Sequence, residues 1–183
     1  LHVRSRRQRQ MCIRDRTQLA EISKKLSNGY HISEQDFALW QELDQQEDSY
    51  TALFGALGNS LKRDSRGFFY FEVDDATASM GKISRLFALT LFALVEFYAD
   101  KGQDPLRALF EHEITTEIWG QLLQQQYHLF EQLEIFSVTD MKREIANRLL
   151  RYGLARPSGD QIKLLSPVSV SYTHLRAHET KAN

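Results

Sequence analysis

Twice along this chain, apolar residues spaced for a helix give way to residues spaced for a strand, and this recurrence restricts the fold more than any other feature. In the first pass Leu19, Ile22 and Leu26 lie at helical spacing until Asn28-Gly29 stops them. Ser33 reads as an N-cap with Glu34 and Asp36 in the first turn, opening a helix through Phe37, Trp40 and Leu43. A third helix begins near Glu47, carries Tyr50, Leu53, Phe54 and Leu57, and ends at Gly58. From Leu61 to Val73 the pattern becomes strand, turn, strand, with aromatic and β-branched residues in the second strand. Three helices followed by a hairpin is the order of a winged-helix domain.

The second pass repeats it. Residues 79–99 read as a long, nearly all-apolar helix, and Asp104-Pro105 opens a short one through Phe110. Thr115 or Thr116 caps a helix carrying Ile118, Leu122, Leu123 and Leu129. Thr139-Asp140-Met141 opens a last helix with Ile145, Leu149 and Leu150 on one face, ended by Gly153. Residues 154–165 read as a second hairpin turning at Ser158-Gly159-Asp160. The expected fold is mainly α with small β-hairpin wings, as tandem winged-helix domains over 17–75 and 76–168. The polar stretch Asp74 to Ser79 marks the boundary.

The two ends are set aside. Arg6 to Arg16 is what a transposase-type sequencing adapter encodes, and Val170 to Thr180 is what the opposite adapter encodes. Residues 1–16 and 169–183 are therefore expected to be adapter-derived, and 17–168 to be an internal piece of a gene. The charge balance changes accordingly. Of 23 basic and 24 acidic residues, eight basic and two acidic ones fall in these ends, which leaves 15 against 22, a net −7. A basic N-terminal arm, which would suggest nucleic acid or a transit peptide, disappears with the adapter. An acidic average argues against binding DNA by bulk charge while allowing a local basic patch. The only cysteine, Cys12, is also in the adapter run, so the core has no disulfide framework and no cysteine metal site. The most apolar run, Leu86 to Val95, is about half of a bilayer span and is flanked by Arg85 and Glu96, so it reads as a buried helix.

Catalysis finds little support. His31, His112 and His128 are far apart in sequence, and Glu111 and Glu113 beside His112 point to different helix faces. No phosphate-binding glycine loop, nucleophile elbow or zinc-protease pattern is present. No enzyme activity, metal or cofactor is expected. The last helix stands out instead. Between Met141 and Leu165 the basic residues Lys142, Arg143, Arg148, Arg151, Arg156 and Lys163 face only Glu144 and Asp160. In a winged helix the helix before the wing is the usual one to meet DNA. Lys142, Arg143, Arg148 and Arg151 are the candidate DNA contacts, to phosphates and without strong sequence preference. Arg148 and Arg151, three apart, are expected to share a face; the plainer alternative is a solvated helix end that complements the helix dipole. The run Phe68-Phe69-Tyr70-Phe71 reads as a strand with one face on the core and Phe68 and Tyr70 offered to a partner protein. Base stacking is the less favoured use.

Four stretches together resemble one family. They are Gly29-Tyr30-His31-Ile32-Ser33, Arg66-Gly67-Phe68-Phe69-Tyr70-Phe71, Met80-Gly81-Lys82-Ile83, and Asn147-Arg148-Leu149-Leu150-Arg151-Tyr152-Gly153-Leu154. They look like the MukE/MksE family, the tandem winged-helix ("kite") subunits of bacterial MukBEF- and MksBEF-type condensins. The compact first domain looks more like the MksE branch. The resemblance spans nearly all of 17–168. It implies a non-enzymatic, cytoplasmic and nucleoid-associated subunit that dimerises and binds a kleisin (MukF- or MksF-like). Through the kleisin it would serve an SMC ATPase (MukB- or MksB-like) acting on DNA in chromosome organisation and segregation. It carries DNA contact onto Arg148 and Arg151, with Lys142 and Arg143 beside them. Two other readings stay open at this point: a free-standing winged-helix transcription regulator, and the same subunit in a plasmid-restricting complex.

Overall fold

The computed structural model describes residues 18–72 and 78–169. The adapter-like run 1–16, the run 170–183 and residues 73–77 of the expected boundary lie outside the described residues. The chain divides into two compact units between Val73 and Asp74.

In the first unit, helix α1 (18–27) buries Ile22 and Leu26 completely or nearly so. Its end closes as the sequence suggests: Gly29 has φ 76°, and the N–H groups of Gly29 and Tyr30 donate to the Leu26 and Lys25 carbonyls at 2.9 and 3.0 Å. Ser33 departs from its expected role. Its backbone is extended, its side chain caps nothing, and a 3₁₀ turn over Glu34–Asp36 precedes α2 (Phe37–Gln45). Ile32 explains this, because it exchanges backbone hydrogen bonds with Phe69 at 2.9 and 2.8 Å and holds the chain straight before the turn. Helix α3 (Glu47–Ala56) buries Tyr50 and Phe54, whereas Leu53 and Leu57 are exposed.

The hairpin pairs β1 (Ser60–Arg63) with β2 (Phe69–Glu72), Leu61 opposite Phe71. Its turn is closed by Asp64, whose side chain accepts from the Arg66 backbone N–H at 2.9 Å, and by Gly67 at φ 87°. Alternation along β2 sends Phe69 and Phe71 to the core with Ile32, Leu43 and Phe54. Phe68 and Tyr70 face the other way.

The second unit is built on α4 (Ala78–Asp100), which buries Leu86, Phe87, Thr90, Leu91, Ala93, Leu94, Phe97 and Tyr98. The recurrence of these positions at three- and four-residue intervals is the stripe of a core-facing helix. Thr90 satisfies its buried hydroxyl by donating to the Leu86 carbonyl at 2.8 Å. Among the described residues no helix is long and apolar enough to cross a membrane. Helix α5 (Pro105–Glu111) starts as expected, with Asp104 accepting from the Leu106 and Arg107 N–H groups. Thr115 caps α6 (Thr116–Gln125) by accepting from Ile118 N–H.

The expected single helix through Leu129 is broken in two. Gln126 leaves helical geometry, its side chain donates to Glu96 of α4 at 2.7 Å, and α7 (Tyr127–Glu131) follows. The last helix, α8, begins one residue earlier than expected, at Val138, and is capped by Ser137. It runs as Val138–Met141, a π-helical stretch Lys142–Ala146, and Asn147–Arg151, with helical backbone angles at each junction. Hairpin β4 (Ala155–Ser158) and β5 (Gln161–Leu164) turns at Gly159, φ 59°. A strand the periodicity did not announce, β3 (Glu113–Ile114), pairs with β5 to give the order β3-β5-β4. Pro157 therefore sits on an outer strand. Trp119, Leu122, Phe130, Met141, Ile145 and Leu149 close the core under α4. Each such side chain, fully buried, contributes about 1.5–3 kcal/mol of transfer free energy.

The observed class is thus mainly helical with small antiparallel hairpins, in two units.

Candidate nucleic-acid interface

Helix α8 carries the four basic residues singled out in the sequence. Lys142 is half-buried, and its ammonium donates to Thr116 Oγ1 of α6 at 2.7 Å. Arg143 is exposed and spans two acids: Nη2 donates to Asp140 Oδ1 and Nε to Glu144 Oε1, both at 2.8 Å. Arg148 donates to the other oxygen of Glu144 at 2.7 Å. Arg151 is exposed, with its guanidinium 6.0 Å from the Tyr152 ring centroid. The hydrogen bond from Arg143, then the charges of Arg148 and Arg143, hold the Glu144 carboxyl below the usual carboxylate range. Asp140 is held low too, first by the Ser137 hydroxyl and then by the Phe136 N–H and Arg143.

The π-helical stretch sets how Arg143 stands relative to Arg148. Asn147 N–H donates to the Lys142 carbonyl, an i→i+5 bond, so this turn holds one residue more than an α-turn. The wider turn brings residues five apart toward one side. Arg143 and Arg148 accordingly line one groove with Glu144 between them. Arg151 keeps its three-residue spacing to Arg148 within the regular segment Asn147–Arg151, but it is not among the lining residues of this groove. The groove has a volume of about 530 Å³. Lys82 and Arg85 of α4 and the turn Gln132–Ile135 line it as well. In that turn Glu134 has φ 59°, the only described non-glycine residue with positive φ.

In the sequence Arg85 stands out only as a flank of the apolar run and Lys82 only within the family-like stretch Met80 to Ile83, and neither is singled out as a candidate contact. Their three-residue spacing was a visible signal, but nothing in sequence showed that α8 lies beside them. Both are exposed, and among the described residues no carboxylate pairs with either.

The other candidate residues are in the first unit. Of the two aromatics expected to be offered to a partner, Phe68 is instead wholly buried against the His31 and Tyr70 rings and offers no surface, and Tyr70 is half-buried. His31 stacks on Tyr70 with centroids 5.7 Å apart and meets Phe68 edge-on at 5.8 Å. Burial, with the Glu72 and Asp64 charges, pushes the Tyr70 hydroxyl up, so it stays a neutral donor. Among the described residues no three His, Cys, Asp or Glu side chains gather where they could hold a metal.

The family model "Condensin complex protein MksE" matches residues 17–172. The chain belongs to the MksE family. The match covers both units and starts where the N-terminal adapter-like run stops. MksE membership makes the chain an accessory component of a multi-subunit SMC condensin, and the family is not known as one of enzymes. No curated protein sequence matches the chain.

Proposed function

We propose that this chain is the non-enzymatic kite-type subunit of an MksBEF-like condensin: it dimerises, binds the kleisin, and touches DNA with the last helix of its second unit. The observation that carries the DNA contact is the cluster Lys142, Arg143, Arg148 and Arg151 on the helix that precedes a hairpin. Both units support a winged-helix reading. Each runs helices into an antiparallel hairpin, and in each a further extended segment pairs with the hairpin, at Ile32 in one and at β3 in the other. In such domains the helix before the wing faces the duplex. Contacts made by long cations on a helix without a base-reading set position the protein on phosphates and leave sequence unread.

The kleisin is assigned to the aromatic wing of the first unit. Tyr70 supplies a half-buried ring with a neutral hydroxyl, and Phe68 beneath it fixes the ring's direction together with His31. Through the kleisin the subunit reaches the SMC ATPase, and the assembly is nucleoid-associated.

Two measurements test this. Co-expressed with a kleisin-like neighbouring gene, the chain should elute by size exclusion with light scattering as two copies bound to the kleisin. A well-folded chain that elutes apart from it removes the subunit reading. Arg148→Glu with Arg151→Glu should weaken DNA binding and flatten its salt dependence while leaving the kleisin complex intact. Unchanged DNA affinity removes the α8 contact.

A further inference from the structure

We propose that the groove between the start of α4 and the π-helical stretch of α8 is the track of a nucleic-acid phosphate backbone, with Lys82 and Arg85 as its leading contacts. The inference rests on the reading of α8 as the DNA-facing helix and extends it to a second element.

The first ground is geometry. Lys82 and Arg85 of α4 line the same groove as Arg143 and Arg148 of α8. Four cations against Glu134 and Glu144 leave the groove net positive, which suits a chain that carries one negative charge per repeating unit, as a phosphodiester backbone does. Leu133, partly buried, adds apolar lining beside the cations.

The second ground is which charges are available. Arg143 and Arg148 already hold Glu144 at 2.8 and 2.7 Å, and Arg143 holds Asp140 as well. A phosphate arriving at α8 must displace a carboxylate that is already hydrogen-bonded to both guanidiniums. Lys82 and Arg85 carry no such partner among the described residues. A cation already neutralised by its own protein releases fewer counterions from the nucleic acid than a free one. Lys82 and Arg85 therefore supply the larger part of the salt-dependent attraction, and Glu144 takes the place of a phosphate until the backbone enters.

The experiment uses the full chain and a fluorescein-labelled duplex of mixed sequence, read by anisotropy over a salt series. Lys82→Ala with Arg85→Ala should weaken binding at least about tenfold at low salt and reduce the log–log salt slope by about 1.8, the value for two phosphate contacts. The charge-keeping pair Lys82→Arg with Arg85→Lys should bind like the parent chain. Circular dichroism and the thermal midpoint should be unchanged in both, because exposed side chains are replaced.

If the alanine pair binds as the parent does while Arg148→Glu with Arg151→Glu does not, the groove is not the track, and the α8 reading survives. If no substitution on either element changes binding, or the parent chain does not bind the duplex, both readings fall. If poly-glutamate competes as well as unlabelled duplex and is lost with the same alanine pair, the groove takes an acidic protein segment, which also overturns the proposal.

Discussion

Arg148 reaches back one turn of α8 to Glu144, Nη2 to Oε2 at 2.7 Å, and Arg143 holds the second oxygen of the same carboxylate. One acid thus occupies two of the four cations that face the groove.

Replacing that acid should reveal them. Glu144→Gln removes the charge and keeps the side-chain volume, so DNA affinity should rise several-fold and the salt slope should steepen toward one further phosphate contact. The pH dependence has a definite sign. Because Arg143 and Arg148 lower the Glu144 pKa, the carboxylate stays ionised through the neutral range and keeps competing. The competition lifts only as pH falls below the ordinary carboxylate range, and the glutamine variant should lack that acid-side gain. Anisotropy titrations of both proteins over pH check this; equal affinities at neutral pH would mean Glu144 does not compete.

One substitution should have opposite signs at two glycines. Gly67 sits at φ 87° in the first hairpin turn, where an added Cβ meets no atom but the backbone angle is one that side chains disfavour. Gly67→Ala should cost about 1–2 kcal/mol. Gly55 lies within α3, exposed and with no atom near a built Cβ, so Gly55→Ala should stabilise by about 0.5–1 kcal/mol. Urea midpoints at constant slope measure both.

Glu134 offers the reverse case. At φ 59° it holds a conformation that costs an L-residue about 1 kcal/mol, and its side chain is exposed. Glu134→Gly should raise stability slightly, by less than about 1 kcal/mol, since glycine also loses more freedom on folding. Glu134→Val should lower it. The same urea series decides, and a stabilised valine variant would contradict the strain.

Acid should weaken the first hairpin through Asp64. The Arg66 side chain, aided by its backbone N–H, holds this carboxyl below its usual range, and Asp64 is mostly buried. A carboxylate whose folded pKa is depressed stabilises above its unfolded pKa, and that stability is lost as pH falls through the folded value. Asp64→Asn should therefore be less stable than the parent chain at neutral pH and show a shallower loss toward acid. Thermal midpoints between neutral pH and the carboxylate range test it.

The sequence made the punctuation readable. Asn28-Gly29, Gly58, Gly153 and the Asp104 and Thr115 caps all stand where local chemistry puts them, because each acts within a few residues. The features it hid depend on contacts distant in sequence. Ser33 lost its cap to the bridge between Ile32 and Phe69, and the break at Gln126 is tied to Glu96 of α4. Strand β3 is two residues long and exists only because β5 lies beside it. In the candidate interface the basic residues of α8 were legible as a cluster. Their grouping was not, because a π turn has no period that apolar spacing announces. Lys82 and Arg85 join them only through packing.

Pro157 has a consequence for assembly. In a two-residue hairpin closed by Ser158 and Gln161, the neighbouring pair Pro157–Ile162 is one whose backbone groups point away from each other. The N–H that proline lacks is therefore missing from the open side of the sheet, where a stray strand would otherwise find a donor. A subunit that works in crowded multi-chain company carries, on that margin, its own refusal to be extended.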